Sequence, residues 1–475
     1  MPLLSVQNLT VTTGATTLVH DVTFDLEPGE RLGVIGESGS GKSLTALSIM
    51  GLLPDSVQAK GDISFRDQQL LGLADSRFRK LRGKSIAMVF QEPMSALDPL
   101  MRVEKQLRFA LGHKDTAAAL AEVGLSPQHG RRFPHELSGG QRQRVMIAMA
   151  LAGQPDILLC DEPTTALDAT TQNGILELIE KLVAQRNLTL VFISHDLAVV
   201  SRMCTHVVVM EKGVVVERGV LATPQHPYTQ RLVAAARPKP PLPAPNTGDP
   251  IVIVDHVSKS FGTVTALDDV NLHVRRGARL GIVGSSGSGK STLLSLIAGL
   301  TTPTTGSLEV NGRVHMVFQD PLGSLNPRMR IRDIIAEAIP AGDVDAQVAE
   351  VLTEVGLDPS HAQRYPHEFS GGQRQRISIA RAVVSRPDII LADEAVSALD
   401  VSVRAQVLDL FQRIVAEHNL TLIFVSHDLN VIRHLCSEVA VITDGKIVEC
   451  GTVHEVWTNP THPYTRTLLN AIVEQ

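Results

Sequence analysis

Several features that mark other classes of protein are scarce in this sequence of 475 residues. Aromatic residues make up only 3% of the chain, which disfavours recognition of single-stranded nucleic acid by base stacking. The formal net charge of −6 also argues against a nucleic-acid partner. No run of about 18 apolar residues occurs, so we expect no segment to span a membrane by itself. Because the first residues lack the pattern of a signal peptide, we expect a cytoplasmic protein.

Cysteine is also rare, and its four positions are Cys160, Cys204, Cys436 and Cys450. None of them forms a C-x-x-C pair, so the sequence predicts neither a disulfide framework nor a cysteine metal site. Cys160 lies in an apolar strand pattern, where we expect a small buried side chain. The remaining composition, with 43% hydrophobic and 20% charged residues, is that of an ordinary globular protein of about two to four domains.

What the sequence does contain is the pattern G-x-x-x-x-G-K-[ST], once beginning at Gly36 and again at Gly284. Each copy follows a short apolar strand pattern, at residues 32–35 and 280–283, and precedes an apolar helical pattern. Glycines let backbone N–H groups turn toward phosphate oxygens, and the start of a helix adds partial positive charge. A flexible Gly/Ser loop explains one match poorly and two matches worse, so we predict two nucleoside triphosphate sites.

The residues expected to contact nucleotide lie within these loops and at the helix starts. In the first loop they are Gly36, Ser38, Gly39, Ser40, Gly41, Lys42, Ser43 and Leu44. In the second loop they are Gly284, Ser286, Gly287, Ser288, Gly289, Lys290, Ser291 and Thr292. Lys42 and Lys290 can reach the β- and γ-phosphates, and the hydroxyls of Ser43 and Ser291 can ligate Mg²⁺.

The second half of the chain repeats the first, and acidic pairs recur at matched positions. Apolar strand patterns end in Asp161-Glu162 and in Asp393-Glu394. An aspartate at such a strand end can hold Mg²⁺, and the adjacent glutamate can polarise an attacking water. The alternative is that these acids are simply solvated at a strand end. Their matched positions after each G-x-x-x-x-G-K-[ST] loop (P-loop) disfavour that alternative.

Two further polar residue types recur in both halves. His195 and His427 follow later strand patterns, and the repeat favours contact with the γ-phosphate, although a lone histidine is usually structural. Gln91 and Gln319 lie in Val-Phe-Gln segments and can ligate Mg²⁺ or its water. Taken alone, each glutamine is equally well explained as a surface residue.

A third repeated segment, S-G-G-Q, precedes a helical pattern in each half. A serine and two glycines at a helix start make a second anion-binding surface, and a simple helix N-cap is the plainer alternative. The residues of the two segments are Ser138, Gly139, Gly140, Gln141, Ser370, Gly371, Gly372 and Gln373.

Within each half, apolar β-rich runs alternate with helical patterns, which favours an α/β fold with a mostly parallel sheet covered by helices. A β-hairpin is predicted near the end of each half, around Lys212-Gly213 and around Asp444-Gly445. The first half has an extra polar stretch at residues 68–85, which we interpret as an exposed excursion.

A proline-rich segment separates the two halves and predicts an extended, semi-rigid spacer. We therefore expect a first domain at residues 1–236, a linker at residues 237–250 and a second domain at residues 251–475. Both domains end in a tail with the string His-Pro-Tyr-Thr, beginning at His226 and at His462.

Taken together, these segments resemble those of the ATP-binding cassette family over nearly the whole chain, twice. They correspond to its Walker A, Q-loop, signature, Walker B and switch-histidine segments, with D-loops at residues 166–168 and 398–400. The strings Q-E-P-M-S-A-L-D-P from Gln91 and Q-D-P-L-G-S-L-N-P from Gln319, together with the two tails, are similar to those of the oligopeptide/dipeptide importer branch. In that branch the two ATPases are commonly separate proteins, whereas here they look fused.

The resemblance implies two tandem P-loop ATPase domains, each with a mostly parallel core sheet, an antiparallel β subdomain and a helical signature subdomain. It implies an ATP-hydrolysing, energy-coupling subunit of a peptide-type importer that uses ATP and Mg²⁺. The implied partners are two integral-membrane permease subunits and an extracytoplasmic substrate-binding protein, with no nucleic acid, at the cytoplasmic face of the cell (inner) membrane. A soluble tandem cassette acting on ribosomes is the alternative, but such proteins usually have a long, charged helical linker.

The resemblance also implies roles for the repeated polar residues. The implied catalytic residues are Glu162, His195, Glu394 and His427. The implied Mg²⁺ ligands are Ser43, Gln91, Asp161, Ser291, Gln319 and Asp393. The two domains are expected to pair head to tail, so that each P-loop binds ATP against the S-G-G-Q segment of the other domain.

Three positions depart from the family pattern. The family usually stacks adenine on an aromatic residue, which Phe261 matches, but Thr13 stands at the same place in the first half and predicts weaker adenine binding there. Ala395 replaces the proline found at Pro163, for which we expect only a small backbone effect. Some relatives carry a cysteine cluster for an iron–sulfur centre, but residues 230–250 contain no cysteine, so we expect no cluster.

Overall fold

The structure is a computed structural model that describes residues 1–112, 115–165, 167–237, 242, 248–397 and 399–471. These residues form two compact units, one drawn almost entirely from residues 1–237 and the other from residues 248–471. Most of the predicted linker at 237–250 lies outside the described residues, as do Ala166 and Ala398 of the two predicted D-loops.

The first unit alternates strands and helices along the chain. Its strands are β1 (Leu4–Thr13), β2 (Thr16–Leu26), β3 (Arg31–Gly36), β4 (Val57–Phe65), β5 (Gln68–Gln69), β6 (Ile86–Val89), β7 (Ile157–Asp161), β8 (Thr189–Ile193), β9 (His206–Glu211) and β10 (Val214–Gly219). Its helices are α1 (Lys42–Met50), α2 (Asp75–Leu81), α3 (Pro93–Ala96), α4 (Val103–Leu111), α5 (Thr116–Glu122), α6 (Gly139–Leu151), α7 (Ala169–Arg186), α8 (Leu197–Met203) and α9 (Pro227–Ala236). Short 3₁₀ segments at Pro127–Arg131 and Pro134–Glu136 lead into α6.

The strands of the first unit pair in the order β5-β4-β1-β2-β10-β9-β3-β8-β7-β6. From β9 to β6 neighbouring strands are parallel, and β10 is antiparallel to β9. The strands β5, β4, β1 and β2 form an antiparallel part, which joins β10 through the single pair Val214 and His20. Because β3, β7 and β8 run parallel, the residues that follow their carboxyl ends meet at one edge of the sheet.

The second unit has the same layout. Its strands are β11 (Pro250–Phe261), β12 (Val264–Arg275), β13 (Arg279–Val283), β14 (Thr305–Val310), β15 (Val314–Val317), β16 (Ile389–Asp393), β17 (Thr421–Val425), β18 (Glu438–Thr443) and β19 (Lys446–Thr452). Its helices are α10 (Lys290–Ile297), α11 (Pro321–Ser324), α12 (Ile331–Ala336), α13 (Val344–Glu354), α14 (Gly371–Val383), α15 (Val401–Glu417), α16 (Leu429–Leu435), α17 (Val453–Thr458) and α18 (Pro463–Asn470). Its 3₁₀ segments are Pro359–Gln363 and Pro366–Glu368.

In the second unit the strands separate into two sheets. An antiparallel sheet has the order β12-β11-β14, and a mostly parallel sheet has the order β15-β16-β17-β13-β18-β19. The P-loop strand β13 lies between β17 and β18, parallel to both. These topologies, with short helices around each S-G-G-Q segment, confirm the predicted α/β fold with a parallel core, an antiparallel part and a helical part in each half.

The parallel strands are buried on both faces because they consist of short apolar runs. Every residue of β8 and of β17 is buried, as are Ile157 to Cys160 in β7. Hydrophobic clusters cover both faces of each parallel sheet. On one face the cluster includes the helix that follows the P-loop, and on the other it includes the helical part. Cys160 lies fully buried in one of them, as the sequence predicted. Among the described residues no helix has the length and apolar character needed to cross a bilayer.

The predicted hairpins are confirmed, but the excursion at residues 68–85 is more ordered than predicted. The strands β9 and β10 are joined by Lys212 and Gly213, whose φ angles of 49° and 84° suit a tight hairpin turn. Within 68–85, Leu70 follows β5 and Phe78 lies in α2, and they are 0% and 3% exposed. Phe78 stands among charged residues and Leu70 in a short run with Leu71 and Leu73, so their spacing gave no clear helical or strand pattern.

Candidate active sites

Each P-loop links a buried strand to a helix and takes its shape from glycine. In the first unit the chain leaves β3 at Gly36 and enters α1 at Lys42. Gly41 has a φ of 96°, and a Cβ atom there would lie 2.7 Å from Cγ2 of Val19. A side chain at this position would therefore be strained in both backbone and packing. The second loop repeats the conformation, since Gly289 has a φ of 103°.

The P-loop lysines are buried and folded back over their own loops. Lys42 is 5% exposed, and its Nζ donates to the carbonyl oxygens of Gly36 at 2.7 Å and Glu37 at 2.8 Å. Lys290 is bound in the same way within the second loop. Burial lowers the pKa of Lys290, because its ammonium group has lost hydration. A phosphate bound beside it would replace that lost solvation.

The serine that follows each lysine pairs with the aspartate at the end of a neighbouring strand. Ser43 Oγ donates to Asp161 Oδ1 at 3.1 Å, and Ser291 Oγ donates to Asp393 Oδ1 at 3.3 Å. Burial raises the pKa of both aspartates, because their charged form is poorly solvated. A divalent cation next to these carboxylates would stabilise the charged form.

In the first unit the predicted glutamine and histidine converge on Glu162. Nδ1 of His195 lies 3.3 Å from Oε1 of Glu162, and Nε2 of Gln91 donates to Oε2 at 3.2 Å. The hydroxyl of Thr165 also donates to Oε2, at 2.9 Å. Burial alone would raise the pKa of Glu162, but the bond to His195 and the other donors outweigh it and lower the pKa. This carboxylate is therefore held ionised in a fixed position.

The second unit builds the same arrangement around Glu394. Nδ1 of His427 lies 3.2 Å from its Oε2, and Nε2 of Gln319 donates to Oε2 at 3.1 Å. Burial opposes both charges, but their interaction lowers the pKa of Glu394 and raises that of His427. Ser397 stands where the first unit has a threonine, and its hydroxyl donates to the backbone carbonyl of Glu394 instead. The two carboxylate sites therefore differ in this hydroxyl contact and in the oxygen that faces the histidine, which is Oε1 in Glu162 and Oε2 in Glu394.

Both glutamates have an unusual backbone conformation. Glu162 and Glu394 have φ angles of 46° and 45°, in the left-handed region that residues with a side chain rarely adopt. Their backbone N–H groups donate to the carbonyl oxygens of Ile193 at 2.9 Å and Val425 at 3.0 Å, which hold this conformation. Strained residues of this kind cluster at functional sites. The sequence gave no signal of this strain, since glutamate has no preference for it.

The S-G-G-Q segments form the first turn of α6 and of α14. Ser138 is an N-cap whose Oγ accepts from the N–H of Gln141 at 3.3 Å, while Oε1 of Gln141 accepts from the N–H of Ser138 at 3.1 Å. A Cβ at Gly140 would lie 2.3 Å from Cγ2 of Thr171, so that position must be glycine. The same capping occurs at residues 370–373. Each segment is thus an N-cap, as the plainer alternative predicted. The cap uses only part of the N–H groups in the first turn of the helix, and the others can bind an anion.

The predicted adenine position differs between the units as the sequence indicates. Phe261 ends β11 with its side chain exposed, and Lys259 Nζ lies 5.0 Å from its ring centroid. Thr13 ends β1 at the same place, and its hydroxyl donates to the carbonyl oxygen of Ser56 at 3.2 Å. Only the second unit therefore offers an aromatic face here.

The loops contain features that fit a phosphate group. The hydroxyl oxygens of Ser40 and Ser288 are buried and have no hydrogen-bond partner among the described residues. A Cβ added at Gly39 or Gly287 would meet no heavy atom within 4 Å, so the loop is open there. Buried polar atoms without partners are rare, and an anion that accepts hydrogen bonds from these two hydroxyl groups would satisfy them. The other predicted contacts lie in the same loops or at the helix starts: Ser38, Leu44, Ser286 and Thr292.

The donor set also fits Mg²⁺ bound together with nucleotide. No group of three or more His, Cys, Asp or Glu residues gathers as a metal site in the part of the chain that the structure describes. Mg²⁺ does not require one, because it commonly takes one or two carboxylates and completes its octahedron with water and substrate phosphate oxygens. The paired serine hydroxyl and aspartate, with a glutamine nearby, match that preference in both units.

A P-loop at the end of a parallel strand, a strand-end aspartate, and a glutamate held by histidine define a P-loop nucleoside triphosphatase. Comparison with known families then identifies the branch. The family model described as "ABC transporter" matches residues 19–165 and 267–397. The chain belongs to this ABC transporter family, whose ATPase domains bind nucleotide with Mg²⁺ and hydrolyse ATP. A second model, "Oligopeptide/dipeptide transporter, C-terminal region", matches residues 448–475.

Curated relatives match the chain over most of its length. It is 43% identical to the "Peptidoglycan transport ATP-binding protein YejF" of Agrobacterium fabrum, covering 99% of this chain and 96% of that protein. It is 38% identical to the "Oligopeptide transport ATP-binding protein OppD" of Mycobacterium tuberculosis, covering 99% and 98%. It is also 38% identical to the "Glutathione import ATP-binding protein GsiA" of Escherichia coli, covering 96% and 86%.

Solved structures support the fold alone. An archaeal ribosome recycling factor, solved with the ribosomal stalk protein aP1, matches with a TM-score of 0.69 at 21% identity, covering 94% of this chain and 90% of that one. A structure named "RNase-L Inhibitor" matches with a TM-score of 0.69 at 20% identity, covering 94% and 91%. Both likenesses agree with the fold described above.

Proposed function

We propose that this chain is the energy-coupling ATPase subunit of an importer that carries peptides or peptide-like molecules. The support is the match of residues 448–475 to the oligopeptide/dipeptide transporter region, together with relatives along the whole chain. The molecules named for those relatives are peptidoglycan, oligopeptides and glutathione, and all of them contain amide-linked amino acids. We therefore expect a peptide-like cargo, recognised by subunits other than this one.

In each half we assign hydrolysis to the glutamate that the histidine and glutamine hold. Glu162 and Glu394 accept a proton from the attacking water, while His195 and His427 keep the carboxylate oriented and contact the γ-phosphate. The residues that would hold Mg²⁺ are Ser43, Gln91 and Asp161 in the first half and Ser291, Gln319 and Asp393 in the second. The ion would supply positive charge for the phosphate oxygens.

We further propose that the domains are residues 1–236 and 251–475, joined by the linker at 237–250, and that they close on ATP. Each P-loop would bind the nucleotide against the signature of the other domain, at residues 370–373 and 138–141. The physical reason is charge, because a γ-phosphate between a P-loop and a second helix start joins two positive ends. Hydrolysis removes this bridge and lets the domains separate, which would drive the permease between its states.

The partners that we propose are two permease subunits at the cytoplasmic face of the inner membrane, with an extracytoplasmic substrate-binding protein. In the first unit a groove of about 440 Å³ lies between Asp98, the start of α4 and Phe133. Leu100, in that groove, and Phe109, further along α4, are 88% and 74% exposed, which is unusual for large apolar side chains. A cytoplasmic segment of a permease would cover them.

Isolation of the complex tests this proposal. The tagged chain is purified from detergent-solubilised native membranes, and co-purifying proteins are identified by mass spectrometry. We expect two multi-span permeases and a binding protein, whose bound ligand names the cargo. A double variant, Leu100→Arg with Phe109→Glu, installs the residue types that the second half carries at these positions and should lose one of the two permeases, the one that docks on the first unit. Leu300→Arg, at an apolar residue that is 66% exposed elsewhere, is the matched control.

Two results would contradict the proposal. Ribosomal proteins in place of permeases would favour the soluble alternative that the sequence left open. Equal recovery of permease by the double variant and the control would show that the groove does not take part in docking.

A further inference from the structure

The sequence gave no role to the His-Pro-Tyr-Thr tails, but the structure gives one to each of their first three residues. In the first tail, His226 is the N-cap of α9, and its Nδ1 accepts from the N–H of Tyr228 at 3.2 Å. Pro227 occupies the first helical position, where a missing N–H costs nothing. The side chain of Tyr228 is thereby fixed at the second position of the helix, and it is only 4% exposed.

A carboxylate anchors the start of this tail to the edge of the core sheet. Glu217, on β10, accepts from the N–H of Gln225 at 2.6 Å and from that of His226 at 3.1 Å. In the second tail Glu449, on β19, accepts from the N–H of Thr461 at 2.8 Å and from that of His462 at 3.1 Å. Each tail helix therefore has a defined position relative to β10 or β19, which one strand separates from the P-loop strand.

The hydroxyl of Tyr228 reaches the first peptide group of the P-loop. The N–H of Glu37 donates to Tyr228 Oη at 3.3 Å. The carbonyl of that same peptide group belongs to Gly36, and it accepts from Nζ of Lys42 at 2.7 Å. The N–H of this peptide group thus bonds to the tail, and its carbonyl oxygen bonds to the phosphate-binding lysine.

The second unit repeats this arrangement with different side chains. The N–H of Ser285 donates to Tyr464 Oη at 2.7 Å. The carbonyl of Gly284, in the same peptide group, accepts from Nζ of Lys290 at 2.9 Å. A serine here replaces the glutamate of the first loop, so only the backbone contact is shared. The chain has three tyrosines in total, and two of them make this contact.

We propose that Tyr228 and Tyr464 are positioning residues for nucleotide binding, each acting through the first peptide group of its P-loop. The tail is then part of the nucleotide site, and it keeps the loop and its lysine in the shape that receives phosphate. The inference rests on the proposed function only in requiring that both loops bind nucleotide. Because the loop holds phosphate in the ground state and in the transition state alike, loss of the hydroxyl weakens binding and leaves the chemical step unchanged.

The test removes each hydroxyl and keeps its ring, in the full-length chain. Tyr228→Phe, Tyr464→Phe and the double variant are titrated with MgADP, which is not hydrolysed, and assayed for ATP hydrolysis. We expect the Kd for ADP and the KM for ATP to rise about three- to tenfold at the altered site, as for one net hydrogen bond. We expect kcat to change less than about twofold, and Tm by no more than about 2 °C.

The third tyrosine provides the control. Tyr365 stacks on His367 with ring centroids 5.8 Å apart, and Phe133 stacks on His135 at 5.7 Å in the first unit. Tyr365→Phe therefore installs the residue that the first unit already carries, and we expect wild-type values of Kd, KM and Tm.

Two outcomes would overturn this inference alone, and a third would also overturn the proposed function. Wild-type affinity for ADP in both tail variants would show that the hydroxyls do not position the loops. Lower Tm and kcat with unchanged affinity would reduce the tails to packing elements. A wild-type chain that binds no ADP would overturn the proposed function as well, which separates that failure from the other two.

Discussion

Equal turnover at the two ATP sites is the prediction that the geometry makes most directly. The perturbation is Glu162→Gln or Glu394→Gln, which keeps the shape and the left-handed backbone of each residue but removes its charge. Oε2 of Glu162 lies 3.2 Å from Nε2 of Gln91, and Oε2 of Glu394 lies 3.1 Å from Nε2 of Gln319. The histidine distances, 3.3 Å and 3.2 Å, are also alike.

These matched contacts set the magnitude. A positioned general base contributes about 10²- to 10⁴-fold to the rate of its own site. If the sites act independently, each single variant should keep about half of the wild-type turnover, and the double variant should lose about 10²- to 10⁴-fold. If ATP hydrolysis at one site requires the other, both single variants should lose activity, but to the same degree.

The assay is steady-state release of phosphate by the purified full-length chain, at saturating ATP and Mg²⁺. Glu309→Gln, at an exposed position on β14, is the matched control and should leave turnover unchanged. The reasoning fails if one single variant abolishes turnover while the other leaves it untouched. In that case the hydroxyl of Thr165, which bonds only the first carboxylate, is the difference to examine next.

Three further predictions follow from single side chains. Asp161→Asn or Asp393→Asn should abolish ATP hydrolysis yet raise the free energy of unfolding of the nucleotide-free chain by about 0.5–2 kcal/mol, measured with denaturant, because burial penalises the charged carboxylate at neutral pH. Phe261→Ala should weaken ADP binding at the second site by about 1–3 kcal/mol, while competition by inorganic triphosphate, which has no base to stack, stays unchanged. Burial would raise the pKa of Glu449, but the N–H groups of its tail outweigh it and lower the pKa to about 2. This lowered pKa stabilises the fold at pH values above the unfolded pKa of 4.5, and the stabilisation is lost as the pH falls toward 2. The Tm difference between wild type and Glu449→Gln should therefore be constant from pH 7 to about 5 and shrink below about 4.5, and a difference independent of pH would contradict it.

Local sequence signals predicted the parts of the fold that local physics decides. The P-loops could be found because their glycines, lysine and flanking patterns lie within a few residues of one another. The hairpin turn at Lys212 and Gly213 follows from the conformations that a two-residue connection requires. The parallel sheet follows from short apolar runs that alternate with helices.

Contacts across the fold were harder to predict from the sequence. Ser43 and Asp161 meet over 118 residues, because β3 and β7 both neighbour β8 in the sheet. Most of the excursion at residues 68–85 is exposed or half-buried, as expected, but the burial of Phe78 was not predicted, because this residue stands among charged neighbours. It packs on Gly51 at the end of α1, and Nε of Arg82 donates to the carbonyl of Met50 there at 2.8 Å.

The left-handed conformation of Glu162 and Glu394 has a consequence for how such a duplicated chain can change. Asparagine or glycine adopts that conformation at lower backbone cost than glutamate, which offsets part of the stability lost with the hydrogen bonds of the carboxylate. The backbone at the proposed catalytic position therefore does not itself oppose the loss of the carboxylate. A tandem ATPase can lose one working site and still fold well enough to serve the other. Asymmetric descendants, with one active and one silent half, are structurally accessible from this chain in a single substitution step.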